Sequence, residues 1–325
     1  MRRVIHAVGA ALLGGAGVAM GVAAVGGFVP AVDGDLLTAG ALLIGLAVVV
    51  GRVTLRETRW ALRTNGFTIT RTDLGNAAAV AVGAPVTYVL SIHVGLGPVL
   101  ASALVGLCAH LLSKTYAAPA YCGSFVGMAT PVAGADLEAV TGAGLVAAAV
   151  FVAGKRAFNG FGGKLGTTAF VGCLAVWAAG GMETGTDSVP SGDVAAVLVL
   201  VATVAAAATY LVSVGLDHGP VVGSAVVGLI AGLVCPPLFA AGDAVAAVAF
   251  CASFAGMATP ERIPGTGAMV TAGALSGLVF VGAAPYFVGL GGKLGTIAFT
   301  ACLLTVGVRS IGRVLVPTPS LGVSG

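Results

Sequence analysis

CGSFVGMATP at 122–131 returns as CASFAGMATP at 251–260, 129 residues on, and the fold follows from what that echo belongs to. The same offset carries GFGGKLGTTAF at 160–170 onto GLGGKLGTIAF at 289–299, and Cys173 onto Cys302. Upstream, TYVLSIHVGLGPVLASALVGL at 87–107 aligns with TYLVSVGLDHGPVVGSAVVGL at 209–229 at an offset of 122, so a short insertion lies near Pro236–Asp243. Self-similarity over such length marks a duplicated structural unit. The units run roughly from 72 to 183 and from 194 to 309.

The repeated chain is apolar. Of 325 residues 58% are hydrophobic and 8% charged, against roughly 25% charged in an ordinary soluble domain. Runs such as Ala41–Gly51, Val194–Val214 and Val221–Val234 have no polar face, and several approach the roughly 20 residues needed to cross a hydrocarbon core of about 30 Å. A membrane barrel would alternate apolar and polar residues; these runs do not, so the chain is read as all-α. The 52 glycines suit close helix approach in lipid, where small residues make the interfaces.

Each unit contains five apolar segments. In the first they fall at about 74–92, 96–113, 118–135, 137–154 and 165–182, and in the second at about 194–214, 220–240, 244–260, 265–284 and 294–310. The third is short, carries Pro119 and Pro131 in the first copy, and could be a span or a re-entrant helix, since proline ends helices. Ahead of them, the apolar stretches Val4–Val29 and Leu36–Val50 read as a retained hairpin rather than a cleaved signal. The expectation is a multi-pass protein of the cell membrane with about twelve segments. Residues 1–71 form a hairpin and a basic cytoplasmic loop, 72–190 the first unit and 191–325 the second.

Five spans per unit would invert the second relative to the first. With the N-terminus cytoplasmic, fourteen of the fifteen basic residues then fall inside, and Asp33, Asp35, Asp136, Glu138, Glu183, Asp187, Asp193 and Asp243 fall outside with Lys293 as the one basic exception. Four spans and a returning loop leave eleven inside. The positive-inside rule favours inversion.

Inverted repeats place their sites near the midplane, where helices break. The candidates are therefore Ser124, Phe125, Gly127, Thr130 and Pro131 with their twins Ser253, Phe254, Gly256, Thr259 and Pro260. Paired Phe and Thr would make a narrow slot for a small planar or neutral solute, whereas a dry, closed core between the two segments would sink the channel reading. Lys164 and Lys293, with Thr167 and Thr296 beside them, are candidate gate residues; snorkelling to headgroups is the plainer use of such lysines.

Other chemistry finds no footing. The six cysteines form no CxxC or Cys/His cluster, so neither a metal site nor a disulfide framework is expected. No nucleophile–base pair, HExxH or P-loop spacing occurs, so neither an enzyme nor a cofactor is expected. A net charge of +3 is too small to imply nucleic acid. The arginines of Gly51–Asp73 should meet anionic lipid.

AYCGSFVGMATP, a glycine-rich helix and then GTTAFVGCLAVWAAG together resemble the urea transporter family, whose halves carry a short helix ahead of a Thr-Ala-x-Phe helix. The resemblance covers about 30 residues of each unit. It implies two inverted five-helix halves around a central pore, a trimeric homo-oligomer, an aromatic slot at Phe125 and Phe254, and guiding hydroxyls at Thr130 and Thr259. The family's Asn in the short helix and its Gln or Glu at the pore have no counterpart here. The function expected is a channel or facilitator for a small, urea-like solute. An ion-coupled secondary transporter and a non-transporting scaffold or subunit are the alternatives.

Overall fold

A computed structural model of the chain describes residues 2–32, 36–63 and 68–315; Asp33 and Asp35, assigned above to an outside loop, lie outside the described residues. Twelve α-helices and no strand occur among them. They are α1 (Arg2–Phe28), α2 (Leu36–Arg63), α3 (Arg71–Tyr88), α4 (Pro98–Leu112), α5 (Lys114–Val126), α6 (Leu137–Ala153), α7 (Lys164–Ala178), α8 (Gly192–Tyr210), α9 (Pro220–Leu238), α10 (Gly242–Gly256), α11 (Gly265–Gly282) and α12 (Lys293–Leu315).

Six of them, α1, α3, α8, α9, α11 and α12, are long and apolar enough to cross a membrane by length and composition. Large apolar side chains stand outward on the surface, among them Leu112 at 87% exposure, Leu111, Ile44, Leu200 and Leu233. Patches of this kind have no place in water. The protein is a helical membrane protein.

Local signals start the helices. Thr70 caps α3 in a reciprocal box with Asp73, and the Asp136 carboxylate accepts from the Ala139 N–H at the start of α6. Gly97 and Gly219 take positive φ (75° and 83°) before Pro98 and Pro220, which begin α4 and α9, the position where a missing N–H costs nothing. The insertion in the second unit becomes an extra turn of α9, which carries Pro236 and Pro237, and a longer connection into α10.

The third segment, open to two readings from sequence, is an α-helix to Val126 followed by tight turns and a short 3-10 helix, Pro131–Ala133. Tyr116 lies against Gly75 at the start of α3, while the Tyr88 hydroxyl at its far end donates to the Ala135 carbonyl at 2.7 Å. Residues 116–135 therefore run beside the whole of α3. In the second unit α10 packs in the same way on α8, and Tyr210 reaches the Ile263 carbonyl at 3.5 Å. A helix of 13 residues is only about 20 Å long, and the turns and 3-10 helix that follow from Gly127 supply the remaining reach.

The two units meet through equivalent helices running in opposite directions. On α4 and α9, Gly228 sits by Ala103 and Gly232 by Leu100, one number rising as the other falls. On α7 and α12, Gly163 faces Phe299, Gly166 faces Gly295 and Gly292 faces Phe170, again antiparallel. A Cβ on Gly166 would stand 2.5 Å from the Gly295 Cα, and the converse is equally tight. Only glycine lets these two backbones touch.

The N-terminal hairpin packs across both units, with Gly9 of α1 against the Ala153 and Gly154 backbone at the end of α6. Gly27 of α1 meets Gly282 of α11, Thr300 of α12 donates to the Gly17 carbonyl at 3.0 Å, and Gly307 of α12 packs on Val49 of α2.

Candidate functional site

The short helices α5 and α10 end where the units meet, and their aromatic rings fill the meeting point. Phe125 and Phe254 stack with ring centroids 4.5 Å apart, Tyr121 lies 4.4 Å from Phe125, and Phe250 lies 4.5 Å from Phe254. All four rings are buried. Tilted and edge-on contacts at these distances suit the ring quadrupoles.

On either side of the Phe125–Phe254 pair is a cavity. One, of about 400 Å³, is bounded by Lys164, Asn159, Thr259, Met257 and Pro220; the other, of about 240 Å³, by Lys293, Thr130, Met128, Gly289 and Pro98. Every residue of the smaller lining has its equivalent in the larger through the offsets of the sequence repeat, Asn76, Phe151, Lys155 and Asn159 line the larger alone, and the residues the two share are Phe125 and Phe254. The ring pair is thus the wall between two chambers of like construction.

Backbone bonds across the units hold the chamber walls. The Thr130 N–H donates to the Gly289 carbonyl at 3.0 Å and the Thr259 N–H to the Gly160 carbonyl at 2.9 Å. Gly160 and Gly289 have φ of 79° and 84°, a region open to glycine at no steric cost. Gly162 and Gly291 lie against the last carbonyls of α10 and α5, so the broken ends of α5 and α10 abut the loops that start α12 and α7.

The slot imagined from the sequence is corrected in two respects. The phenylalanines touch, leaving no open passage between them, and the two threonines belong to different chambers. Ser124 and Ser253 stand behind the rings: Ser124 bonds Ser102 at 2.8 Å, and Ser253 bonds Ser224 at 2.8 Å, which in turn bonds the Tyr121 hydroxyl at 3.0 Å. These links tie α4 to α5 and α9 to α10, the role of buried hydroxyls with full partners. Gly127 and Gly256 pack on Thr87 and Thr209 of α3 and α8. Thr167 and Thr296 are wholly buried and donate back to Gly163 and Gly292 at 3.1 Å each, so neither faces a chamber. Pro131 and Pro260 shape the turns after Thr130 and Thr259, whose carbonyls are taken by Ala133, and by Arg262 and Ile263.

Of the sequence candidates, Phe125, Phe254, Thr130, Thr259, Lys164 and Lys293 line the chambers. Asn159, Pro98, Pro220, Met128 and Met257 were not among them. The repeat carried the signal for four of these, since Pro98/Pro220 and Met128/Met257 are identical pairs in the aligned segments.

The larger chamber sits in a basic neighbourhood. The Lys164 ammonium donates to the Asn159 side-chain oxygen at 2.7 Å, and Arg262 donates to the Asn159 carbonyl at 2.9 Å while pairing with Glu57 of α2 at 2.7 Å and stacking on Phe161 at 4.5 Å. Lys155 pairs with Asp73 at 2.7 Å. Around the smaller chamber, Lys293 donates to the Ala284 carbonyl at 3.1 Å. Among the described residues no group of His, Cys, Asp and Glu is arranged to hold a metal.

Compared with models of protein families, with curated proteins and with solved structures, the chain matches none.

Proposed function

We propose that this protein moves a small solute across the membrane between two inverted five-helix units that follow an N-terminal hairpin. The observation carrying this reading is the pair of corresponding chambers that meet at the Phe125–Phe254 contact. Antiparallel crossing of the equivalent helices α4 and α9, and of α7 and α12, supports inversion, and interrupted helices at a repeat interface are where transporters bind substrate.

In this reading all twelve helices lie in the membrane, with α5 and α10 completing their crossing through the turns that follow them. Glu57, Asp73, Lys155 and Arg262 lie toward one end, with the arginines of α2; that end is cytoplasmic by the charge rule. Arg56, Arg59 and Arg63 then meet anionic headgroups.

A ring pair in contact is a closed gate. The closed gate favours the secondary-transporter alternative, or a gated pathway, over a permanently open channel: the two units rock so that the rings part from one chamber at a time. The urea-like solute is the resemblance's contribution and rests on the short-helix segments alone. Proteoliposomes holding the full chain, tested for uptake of urea, formamide, glycerol and small ions, check the function. Solute-dependent flux above protein-free vesicles is expected, and its absence for every solute would count against transport.

A further inference from the structure

We infer that the solute is a small monovalent anion, recognised at each face by the repeated lysine, Lys164 in one chamber and Lys293 in the other. This rests on the transport reading above and sharpens it.

Charge compensation selects an anion. Near the larger chamber the basic side chains are matched: Lys155 by Asp73 and Arg262 by Glu57, each at 2.7 Å. Among the described residues no carboxylate stands within ion-pair distance of Lys164 or Lys293; their hydrogen-bond acceptors are neutral oxygens, of Asn159 and Ala284. Glu57, whose charge reaches Lys164, and Asp187, whose charge reaches Lys293, stand outside that distance. Neither chamber has an aspartate or glutamate in its lining. A cation held among apolar walls without a counter-charge is costly, and a permeating anion supplies one.

Placement adds to this. Lys164 and Lys293 open α7 and α12, whose N-terminal turns cross at the molecular centre through Gly166 and Gly295. Gly163, the N-cap of α7, gives no side-chain cap, and each lysine at these helix starts lines a chamber that the ring pair also bounds, where the positive end of a helix favours an anion. Lys293 is also the one basic residue that the charge rule leaves on the outer side; snorkelling to an outer headgroup gives no reason for its repetition, whereas a two-sided anion path requires it. A chamber of about 240 Å³ holds an ion of a few heavy atoms and a few waters, each water filling roughly 30 Å³.

The test uses the purified full chain, in proteoliposomes and in detergent. Vesicles are assayed for uptake of chloride, nitrate, formate, urea and formamide, and the melting temperature is followed with each as its sodium salt or neutral solute. Lys164→Gln, Lys293→Gln and Lys164→Arg are compared with the parent. Expected are anion uptake in the parent, a loss of at least about tenfold in each Gln variant, as removal of a charged hydrogen bond gives, partial retention in Lys164→Arg, and an anion-dependent rise in melting temperature that the Gln variants lack. Urea or formamide uptake equal in parent and Gln variants, with no anion uptake, overturns the anion inference and leaves transport standing. Anion-dependent stabilisation without any uptake keeps the anion site and removes transport. Neither uptake nor stabilisation in the parent, which needs no variant to fold, removes both.

Discussion

Replacing Phe254 with alanine removes one leaf of the wall between the chambers. The ring stands 4.5 Å from Phe125, 4.5 Å from Phe250 and 6.2 Å from Tyr121. Parting the closed pair forgoes an aromatic contact of about 1 kcal/mol and uncovers one buried ring, about 2 kcal/mol. The barrier held by the contact is then about 3 kcal/mol, roughly a hundredfold in rate. Phe254→Ala should therefore leak: proteoliposomes of this variant should equilibrate a small solute about a hundredfold faster than the parent. Stability should fall by about 3 kcal/mol, the lower end for a buried Phe→Ala change, because water from both chambers can occupy the gap. Phe250→Ala is the control, since Phe250 is equally buried but lines neither chamber. It should destabilise to a similar degree without leaking. A folded Phe254→Ala protein with parental permeability, or equal leaks in both variants, would refute the assignment of the ring pair as gate.

Inversion has a direct test in Val132 and Glu261, which are equivalent through the 129-residue offset and exposed. Single cysteines placed there, in a chain whose exposed Cys108 is replaced by alanine, should react with a membrane-impermeant maleimide from opposite sides; labelling from one side would make the units parallel. Gly166→Ala and Gly295→Ala should each cost about 1–3 kcal/mol by overpacking, read from unfolding in mild denaturant, because either new methyl meets the other helix's backbone; a neutral effect at both sites would dissolve the tight α7–α12 crossing. Glu57→Gln should cost about 1–3 kcal/mol, the penalty for stripping a partner from a charged hydrogen bond, since Arg262 is then left half-covered at the chamber rim. The double variant with Arg262→Gln should recover part of that loss, and strict additivity in this cycle would deny the coupling.

Much of this architecture could be read from one chain because duplication is a signal that composition cannot imitate. The apolar segments agree with the helices to within a few residues at most ends, since a lipid-facing helix must be apolar along its length. The sidedness of the basic residues favours inversion by the charge rule, an expectation that rests on the sequence. Of the residues singled out in the duplicated segments, Phe125, Phe254, Lys164 and Lys293 line the chambers, while Ser124, Ser253, Thr167 and Thr296 make hydrogen bonds within the packed helices, because duplication preserves packing residues as faithfully as lining residues. Whether a hydroxyl faces a chamber or bonds the next helix depends on helix rotation, which apolar runs without periodicity do not encode.

The sequence by itself determined a helical chain built for lipid, its two copies, and the glycines and aromatics at their core, since each follows from composition or from repetition. Packing between distant segments fixed that 116–135 runs the length of α3 as α-helix and then turns with a short 3-10 helix, since a 13-residue helix is ambiguous until its neighbours fix both ends. Tertiary structure likewise decided that CGSFVGMATP and CASFAGMATP meet as a closed pair of rings with a chamber behind each. That outcome rests on how closely Gly166 and Gly295 let the two units approach, a distance set by packing between segments far apart in the chain.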